Sequence, residues 1–332
     1  MFVHKRNPLD PVGGAETPES VALNRRRFMK TAALAAGAGA LGIGAFALWR
    51  EFRATDEEVL RRGAVVPPED ADLATLYPAP RDDRFAYDRL ETDEAAAARY
   101  TNFYEFSRRK STWRYVDAFQ TRPWSVSVEG HCRRPFRLNT DELLSRYRDA
   151  LVERQYRHRC VETWAMAVPW TGIPLARILR DADPLASATH VQFDSFDRPA
   201  QAPGMAATPR FPWPYTEGLT IREAVNDLTL LATGMYGHPL LKQHGAPIRL
   251  VVPWKYGYKS IKSVQRIVLT DREPATFWST LDPAAYPFQS NVDPTVPRPW
   301  PQKEERMLGT STRHATQLYN GYGEYVAHLY DV

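Results

Sequence analysis

The chain has 332 residues and a formal net charge of +4, but this positive charge comes entirely from the first 50 residues. Residues 1–50 carry seven Lys or Arg and three Asp or Glu, whereas residues 51–332 carry 36 of each sign. A neutral body excludes a nucleic-acid-binding protein of the usual basic type, which needs a clustered positive surplus on the folded domain.

The first predicted element is an export signal. Residues 25–30 read RRRFMK and precede an uncharged, mildly apolar run at residues 31–49. Twin arginines in this setting predict export to the periplasm through the Tat translocase. The length of the run also reaches the lower limit for a membrane-spanning helix. Its four glycines weaken this alternative. Residues 45–47 fit a small-x-small cleavage site. The alternative that the leader is not cleaved and remains as a membrane anchor stays open.

We predict a leader at residues 1–50, an irregular lead-in at residues 51–100 and one domain at residues 101–332. Turn and linker signals recur in the lead-in with little apolar periodicity. Its one predicted helix is the alanine-rich stretch at residues 94–99.

Within the domain, alternating apolar residues and capping patterns predict the order of elements. The predicted strands are 124–130, 155–160, 190–194, 248–252 and 264–269. Capping boxes at residues 139–142 and 220–223 each open a helix, and a turn at residues 172–174 leads into another. Prolines recur from 283 to 301 without helical or strand period, which predicts a loop-rich arm. The predicted fold is a single α+β domain with a mixed, strand-rich core and a loop-rich C-terminal arm.

Cys160 is the candidate metal ligand. Soft thiolates select soft or redox-active metals, and the flanking Arg157 and Arg159 are expected to favour the thiolate. On the predicted strand at 155–160, Cys160 and His158 share one face and the two arginines the other. One alternative is a free cysteine packed as a small apolar residue. Another is a cofactor-free, exported binding protein with a disulfide to Cys132, the second of the two cysteines.

Several long motifs follow one another in a specific order. They are NFYEF (102–106), RCVETW (159–164), VPW (168–170), PYTEG (214–218), GAPIR (245–249), VPWKYGYKSIKS (252–263) and FW (277–278). On these motifs, from about residue 100 to residue 330, the chain resembles the periplasmic, molybdenum-dependent protein-methionine-sulfoxide reductase catalytic subunits of the sulfite-oxidase-like molybdopterin superfamily.

The resemblance implies one molybdenum, held by a pyranopterin dithiolene and by the Cys160 thiolate. It implies oxygen-atom transfer from methionine sulfoxide in periplasmic proteins to a reduced molybdenum centre, with electrons from a haem-bearing membrane subunit. The alternative within enzymes is a molybdenum oxidoreductase for sulfite or small S- or N-oxides. The chain has no Cys-x-x-Cys pair for a haem or an iron–sulfur cluster of its own.

The resemblance also implies a set of cofactor-binding residues. These are Asn102, Tyr104, Glu105, Ser195, His244, Arg249, Ser260, Ile261 and Lys262. Arg249 suits the pterin phosphate because its guanidinium presents a rigid fork of donors. The turn after Gly257 can turn backbone N–H groups toward the same anion.

Each assignment has a structural alternative. Arg249 could form a salt bridge at a strand end, Tyr104 could be core, and the lysines at 255, 259 and 262 could form a solvated face. The chain also departs from the family pattern, because Thr101 and His244 stand where the family has asparagine. Both can still form hydrogen bonds, and His244 is expected to add a titratable group near the metal.

Overall fold

The structure, a computed structural model, describes residues 54–65 and 71–330. The predicted export signal and the uncharged run after it lie outside the described residues. Among the described residues, no helix is both long and apolar enough to cross a membrane. The described residues from Asp56 onward form one compact unit.

Twelve strands and nine α-helices make up this unit. The strands are β1 Ser125–Gly130, β2 Phe136–Asn139, β3 Val152–Arg159, β4 Trp164–Pro174, β5 His190–Asp194, β6 Thr216–Thr220, β7 Leu230–Met235, β8 His238–Pro239, β9 Arg249–Val251, β10 Arg266–Thr270, β11 Glu304–Met307 and β12 Arg313–Ala315. The helices are α1 Asp56–Gly63, α2 Ala71–Ala74, α3 Glu94–Arg99, α4 Thr140–Arg146, α5 Leu175–Ala182, α6 Pro203–Ala207, α7 Ile221–Ala224, α8 Phe277–Leu281 and α9 Gly323–Val326.

The strands form two mixed sheets. The five-stranded sheet has the order β2-β1-β10-β5-β6, in which only β1 and β10 run parallel. In the seven-stranded sheet, β4 is central: it pairs with β3 along most of its length, with β11 at its start and with β7 at its end. The first ten residues of β4 are all buried, as expected of a strand covered on both faces.

Most of the predicted elements are confirmed. The strand at 190–194 and the helix at 94–99 have the predicted bounds, and the other predicted strands shift by up to three residues at either end. Both capping boxes form, at Asn139 with Glu142 and at Thr220 with Glu223. The turn predicted at residues 172–174 is wrong, because these residues complete β4 and α5 starts directly after them. No helix or strand lies between α8 and β11, all of which is described, so the loop-rich arm is confirmed.

The lead-in is more ordered than the sequence analysis predicts. It contains the eight-residue helix α1, which packs against α3. Val59 of α1 is fully buried, and Asp56 forms an ion pair with Arg99 at 2.5 Å. The first turn of α1 is acidic and its last turn basic, so its charges match the helix dipole.

Strand β3, which leads into the candidate site, has one edge paired with β4 and the other closed by distant segments. The backbone of Glu153 exchanges two hydrogen bonds of 2.8 Å with residues 80–82. Further along, the Arg157 N–H donates to the Tyr322 hydroxyl at 2.9 Å, and Asn320 Nδ2 donates to the Arg157 carbonyl at 3.1 Å. The lead-in and the segment at residues 320–322 therefore satisfy backbone groups that an open edge would expose.

Candidate active site

A cavity of about 750 Å³, partly open to solvent, lies beside the end of β3. Eight of the ten predicted site residues line it: Asn102, Tyr104, Glu105, Cys160, Arg249, Ser260, Ile261 and Lys262. His158 lines it too, as the predicted strand phase requires. The predicted residues therefore converge on one site from four separate segments of the chain.

Cys160 enters this cavity from a tight turn directly after β3. The Cys160 N–H donates to the Trp164 carbonyl at 2.9 Å, and the Thr163 N–H donates to the Cys160 carbonyl at 3.0 Å. Thr163 has a φ of 77°, a left-handed conformation that is strained for a β-branched residue. Such strain persists where the surrounding structure holds it, and it concentrates at functional sites.

Burial controls the ionisation of Cys160. Burial first, and the negative charge of Glu162 second, raise the pKa of the Cys160 thiol to about 12, against smaller opposing effects of Lys110, the Glu162 backbone N–H and Arg159. Arg157 turns away and donates to Gln317 at 2.7 Å. Arg159 therefore favours the thiolate as predicted, but burial outweighs its charge in the protein alone. A bound metal would displace the proton directly.

A polar network holds the side chains around the sulfur. Asn102 Nδ2 lies 3.5 Å from Cys160 Sγ and 3.2 Å from Glu162 Oε2. Lys110 Nζ donates to Asn102 Oδ1 at 2.5 Å and also to Glu162 Oε2. Trp164 Nε1 donates to the same carboxylate oxygen at 3.2 Å. The sulfur therefore faces the cavity beside an ordered set of donors and one carboxylate.

Arg249 is a buried cation on the cavity wall. Three of its N–H groups donate to the carbonyls of Leu250, His244 and Ser260 at 2.9–3.3 Å, and its guanidinium lies 4.8 Å from the centre of the Trp170 ring. Burial lowers its pKa to about 9. No carboxylate pairs with it in the described part of the chain, so the salt-bridge alternative is wrong. Two of its five donors remain for a ligand.

The three lysines of the 252–263 motif differ in role. Lys255 and Lys259 are each about 1% exposed and pair with Glu223 at 2.5 Å and with Glu217 at 2.6 Å, so the solvated-face alternative is wrong for both. Lys262 lines the cavity and donates to the Asn102 carbonyl at 2.7 Å. Burial, together with the charge of Arg249, lowers the pKa of Lys262.

Arg249 and Lys262 thus face one cavity, and among the described residues no carboxylate forms an ion pair with either of them. Glu105 lines the same cavity, and its charge partly offsets the lowering of the Lys262 pKa. An anionic ligand would further stabilise the two cations. A phosphate-bearing pterin fits, since Arg249 keeps two free donors and Lys262 adds a point charge. Tyr104 borders the same space, packs edge-to-face on Trp278 at 5.0 Å and is half-buried against the hydrophobic core, so its contact with the cofactor stays a prediction. The residues present fit the implied cofactor.

Ser195 and His244 lie behind this wall and do not line the cavity. The Ser195 hydroxyl donates to the Lys262 carbonyl at 2.8 Å, and the His244 carbonyl accepts from Arg249. Both therefore brace cationic residues, and their predicted direct contact with the cofactor stays a prediction. The next residue, Gly245, has a φ of 98°, and a Cβ there would come within 2.7 Å of the Lys262 side chain.

Burial keeps His244 neutral. It lowers the pKa of His244 to about 3, with Arg249 and Lys262 adding to the shift, and Nε2 has no partner among the described residues. The expectation of a group titrating near neutral pH is therefore wrong.

This shift predicts an acid-sensitive contribution to stability. Between pH 6.5 and pH 3 the unfolded chain binds the proton and the folded chain does not, so the free energy of unfolding falls as the pH drops. At pH 5 the loss from His244 is about 2 kcal/mol. We expect the substitution His244→Asn to remove the His244 contribution to this fall in the free energy of unfolding. The control substitution His314→Asn on β12 should leave the pH dependence unchanged. Urea unfolding at pH 7 and pH 5 measures it, and equal pH dependence in the two variants would contradict the prediction.

Other residues at the site were not assigned a role by the sequence analysis. Glu162 and Lys110 form the network around the sulfur, and Tyr286 and Trp300 of the C-terminal arm line the cavity together with Trp278. The sequence position of Glu162, two residues after Cys160, could have indicated that its side chain lies near the sulfur. No sequence pattern could have indicated the role of Lys110, because only folding brings it into contact with Glu162.

Neither cysteine forms a disulfide: Cys132 and Cys160 are both free. Cys132 lies just after β1, a strand of the other sheet, and its backbone forms an isolated antiparallel β-bridge with Pro184. The alternative of a binding protein closed by a Cys132–Cys160 disulfide is therefore wrong.

Comparison with known proteins agrees with this site. The family model described as "Oxidoreductase molybdopterin binding domain" matches residues 114–278, which include Cys160, Arg249 and Lys262. The fold and site thus define a molybdopterin-binding oxidoreductase, as predicted.

Curated relatives place the chain more narrowly. A protein-methionine-sulfoxide reductase catalytic subunit MsrP of Gluconobacter oxydans is 47% identical over 81% of this chain and 86% of its own length. Proteins of the same name from Burkholderia mallei and Xanthomonas axonopodis pv. citri are 41% and 40% identical, over 95% and 98% of this chain and 91% and 96% of their own lengths. The chain belongs to the family of protein-methionine-sulfoxide reductase catalytic subunits.

Proposed function

We propose that the protein reduces methionine sulfoxide residues in proteins of the periplasm, using a molybdenum-molybdopterin cofactor and electrons from a haem-bearing membrane subunit. The observation that carries the proposal is the meeting, in one cavity, of the buried Cys160 thiol, the buried Arg249 and the half-buried Lys262. A thiolate ligand and an anion-binding wall are the two features that this cofactor requires.

The cofactor, when bound, supplies the oxygen-atom transfer chemistry, and the protein supplies binding and orientation. Arg249 and Lys262 neutralise the anionic group of the pterin. Cys160 holds the metal, and Asn102 and Glu162 fix the surroundings of the sulfur. These groups are pre-positioned by backbone contacts, so little reorganisation accompanies binding.

The aromatic part of the cavity lining suits a methionine side chain. Tyr104, Trp278, Tyr286 and Trp300 belong to this lining, and their rings present broad apolar faces. Sulfur-bearing side chains make favourable contacts with aromatic rings, and methionine is unbranched and flexible. A methionine sulfoxide can therefore enter from a polypeptide that stays outside.

Electrons must come from another protein, because the chain's two cysteines form no haem-attachment or iron–sulfur motif. The proposal assigns this role to a haem-bearing membrane subunit. Co-purification of the full chain from detergent-solubilised membranes checks it, with absorbance at the haem bands as the readout. Recovery of the chain free of haem protein under all conditions would contradict this assignment.

The test of the activity is metal analysis and an assay on protein purified from the periplasm. We expect about one molybdenum per chain, and reduction of oxidised protein substrates with an artificial electron donor. Sulfite and small N-oxides serve as competing substrates. Absence of molybdenum contradicts the proposal, and a preference for sulfite oxidation supports the alternative molybdenum oxidoreductase.

The proposed export rests on the twin arginines in the leader. We expect the double substitution Arg25→Lys and Arg26→Lys to leave the protein in the cytoplasm, because the Tat route reads this pair. The single substitution Arg27→Lys at the following position is the matched control and should export normally. Cell fractionation measures both, and periplasmic accumulation of the double variant would show another route.

A further inference from the structure

We propose that Lys110 is a positioning residue: it orients the side-chain amide of Asn102 so that Nδ2 donates a hydrogen bond to the Cys160 sulfur. The inference rests on the proposed function, in which Cys160 is the molybdenum ligand.

The backbone brings Lys110 back to Asn102. After the 102–106 segment the chain reverses, and the Thr101 N–H donates to the Lys110 carbonyl at 2.9 Å. The Thr112 hydroxyl then donates to the Thr101 carbonyl at 3.0 Å. This backbone pairing holds Lys110 beside Asn102. The contact between their side chains is therefore supported by the hydrogen bonds of the loop.

The chemistry of the two side chains decides the orientation of the amide. The ammonium group of Lys110 only donates, so the partner 2.5 Å away must be the amide oxygen. Nδ2 is thereby left to face Cys160 Sγ at 3.5 Å and Glu162 Oε2 at 3.2 Å. A flipped amide would place two donors together at Lys110 and two acceptors together at Glu162. Lys110 and Glu162 therefore select the same orientation from opposite sides.

Charge strengthens this arrangement. Lys110 and Glu162 form an ion pair whose side chains are 28% and 16% exposed. Partial burial makes their attraction stronger than that of a surface pair. Without Lys110, the Glu162 carboxylate would lie beside the sulfur with its negative charge uncompensated, and the amide would lose the partner of its oxygen.

Such a hydrogen bond affects the bound metal. Donors to a ligand sulfur withdraw electron density from it and raise the reduction potential of the centre. Lys110 therefore acts on the metal through Asn102, without contacting it.

The experiment uses the molybdenum-loaded full chain and the substitution Lys110→Met. In the one-electron-reduced state, an N–H···S hydrogen bond gives an exchangeable proton coupling in the paramagnetic resonance spectrum. Asn102→Leu identifies the coupling that belongs to Asn102. We expect Lys110→Met to lose that coupling and to have a more negative potential, whereas Lys110→Arg keeps it. Arg109→Met, which removes the neighbouring exposed cation, controls for charge alone and should keep both properties.

The outcomes separate this inference from the proposed function. Retention of the Asn102 coupling in Lys110→Met, with molybdenum bound, overturns the role of Lys110 and leaves the function standing. Absence of molybdenum from the parent overturns the function. If Lys110→Met does not load, selective ¹⁵N-asparagine labelling of the apo protein gives a second readout. We expect the side-chain amide of Asn102 to exchange slowly in the parent and rapidly in Lys110→Met; equal rates would overturn the inference.

Discussion

Replacing Cys160 with serine is expected to abolish methionine sulfoxide reduction while leaving the protein folded. Roughly 10- to 100-fold of activity is lost when a group that merely supports a metal ligand is removed, so loss of the ligand should cost more than about 100-fold. The substitution is nearly isosteric at a buried position facing a cavity, and the free energy of unfolding should change by less than about 1 kcal/mol. Steady-state assays and the metal's absorption spectrum measure the effect.

Cys132→Ser is the matched control for this prediction. Cys132 lies in the other sheet and lines no part of the cavity, so both activity and spectrum should match those of the parent. Both cysteines are free, so no shared loss of stability is expected. Full activity in Cys160→Ser would remove the metal ligand from the proposal, and most of the functional argument with it.

The second large effect is expected at Arg249. Arg249→Met removes a buried cation that has no carboxylate partner in the described residues, together with its two free donors. Truncating charge-assisted hydrogen bonds costs about 1.5–3 kcal/mol, so cofactor affinity should fall by at least about tenfold. Arg249→Lys keeps the positive charge but lacks the forked donors of the guanidinium, so its cofactor affinity should lie between those of the parent and Arg249→Met. Molybdenum and pterin content per chain measure the loss.

Arg154 supplies the matched control for Arg249. It is also a buried arginine, but it pairs with Asp82 at 3.2 Å and with Asp227 at 3.0 Å, away from the cavity. Arg154→Met should lower the free energy of unfolding by about 1–3 kcal/mol, since it removes the buried partner of two carboxylates, which then keep only the exposed Arg84. Its molybdenum content should stay at the parental level. Equal molybdenum contents in Arg249→Met and Arg154→Met would contradict the assignment of Arg249.

Elements governed by local rules were predictable from the sequence. The capping box at Asn139 and Glu142 depends on residues three apart, and the facing of His158 and Cys160 follows from strand alternation. Strand β4 was missed because its apolar run is continuous, and such a run has no period that distinguishes strand from helix. Helix α1 had a readable signal in its charges, which the turn residues of the lead-in outweighed.

The site was predictable only where motifs carried it. Family motifs placed eight of ten residues on one cavity, but the charge state of the site depends on burial, which sequence spacing does not report. Arg159 adjoins Cys160 in sequence, yet desolvation of the thiol outweighs its charge. Lys255 and Lys259 look like surface lysines in the sequence, and only the fold supplies Glu223 and Glu217 as their partners.

The closed edge of β3 has a consequence for the order in which the protein is made. Asn320 and Tyr322 supply backbone partners to Arg157, near the end of the strand that leads to Cys160. During synthesis these residues emerge about 160 positions after that cysteine, since domains form as the chain lengthens from its N-terminus. This edge of the strand can therefore be closed only after residues 320–322 have been translated. That order is consistent with the proposed export of an enzyme that is folded and loaded with its cofactor before transport.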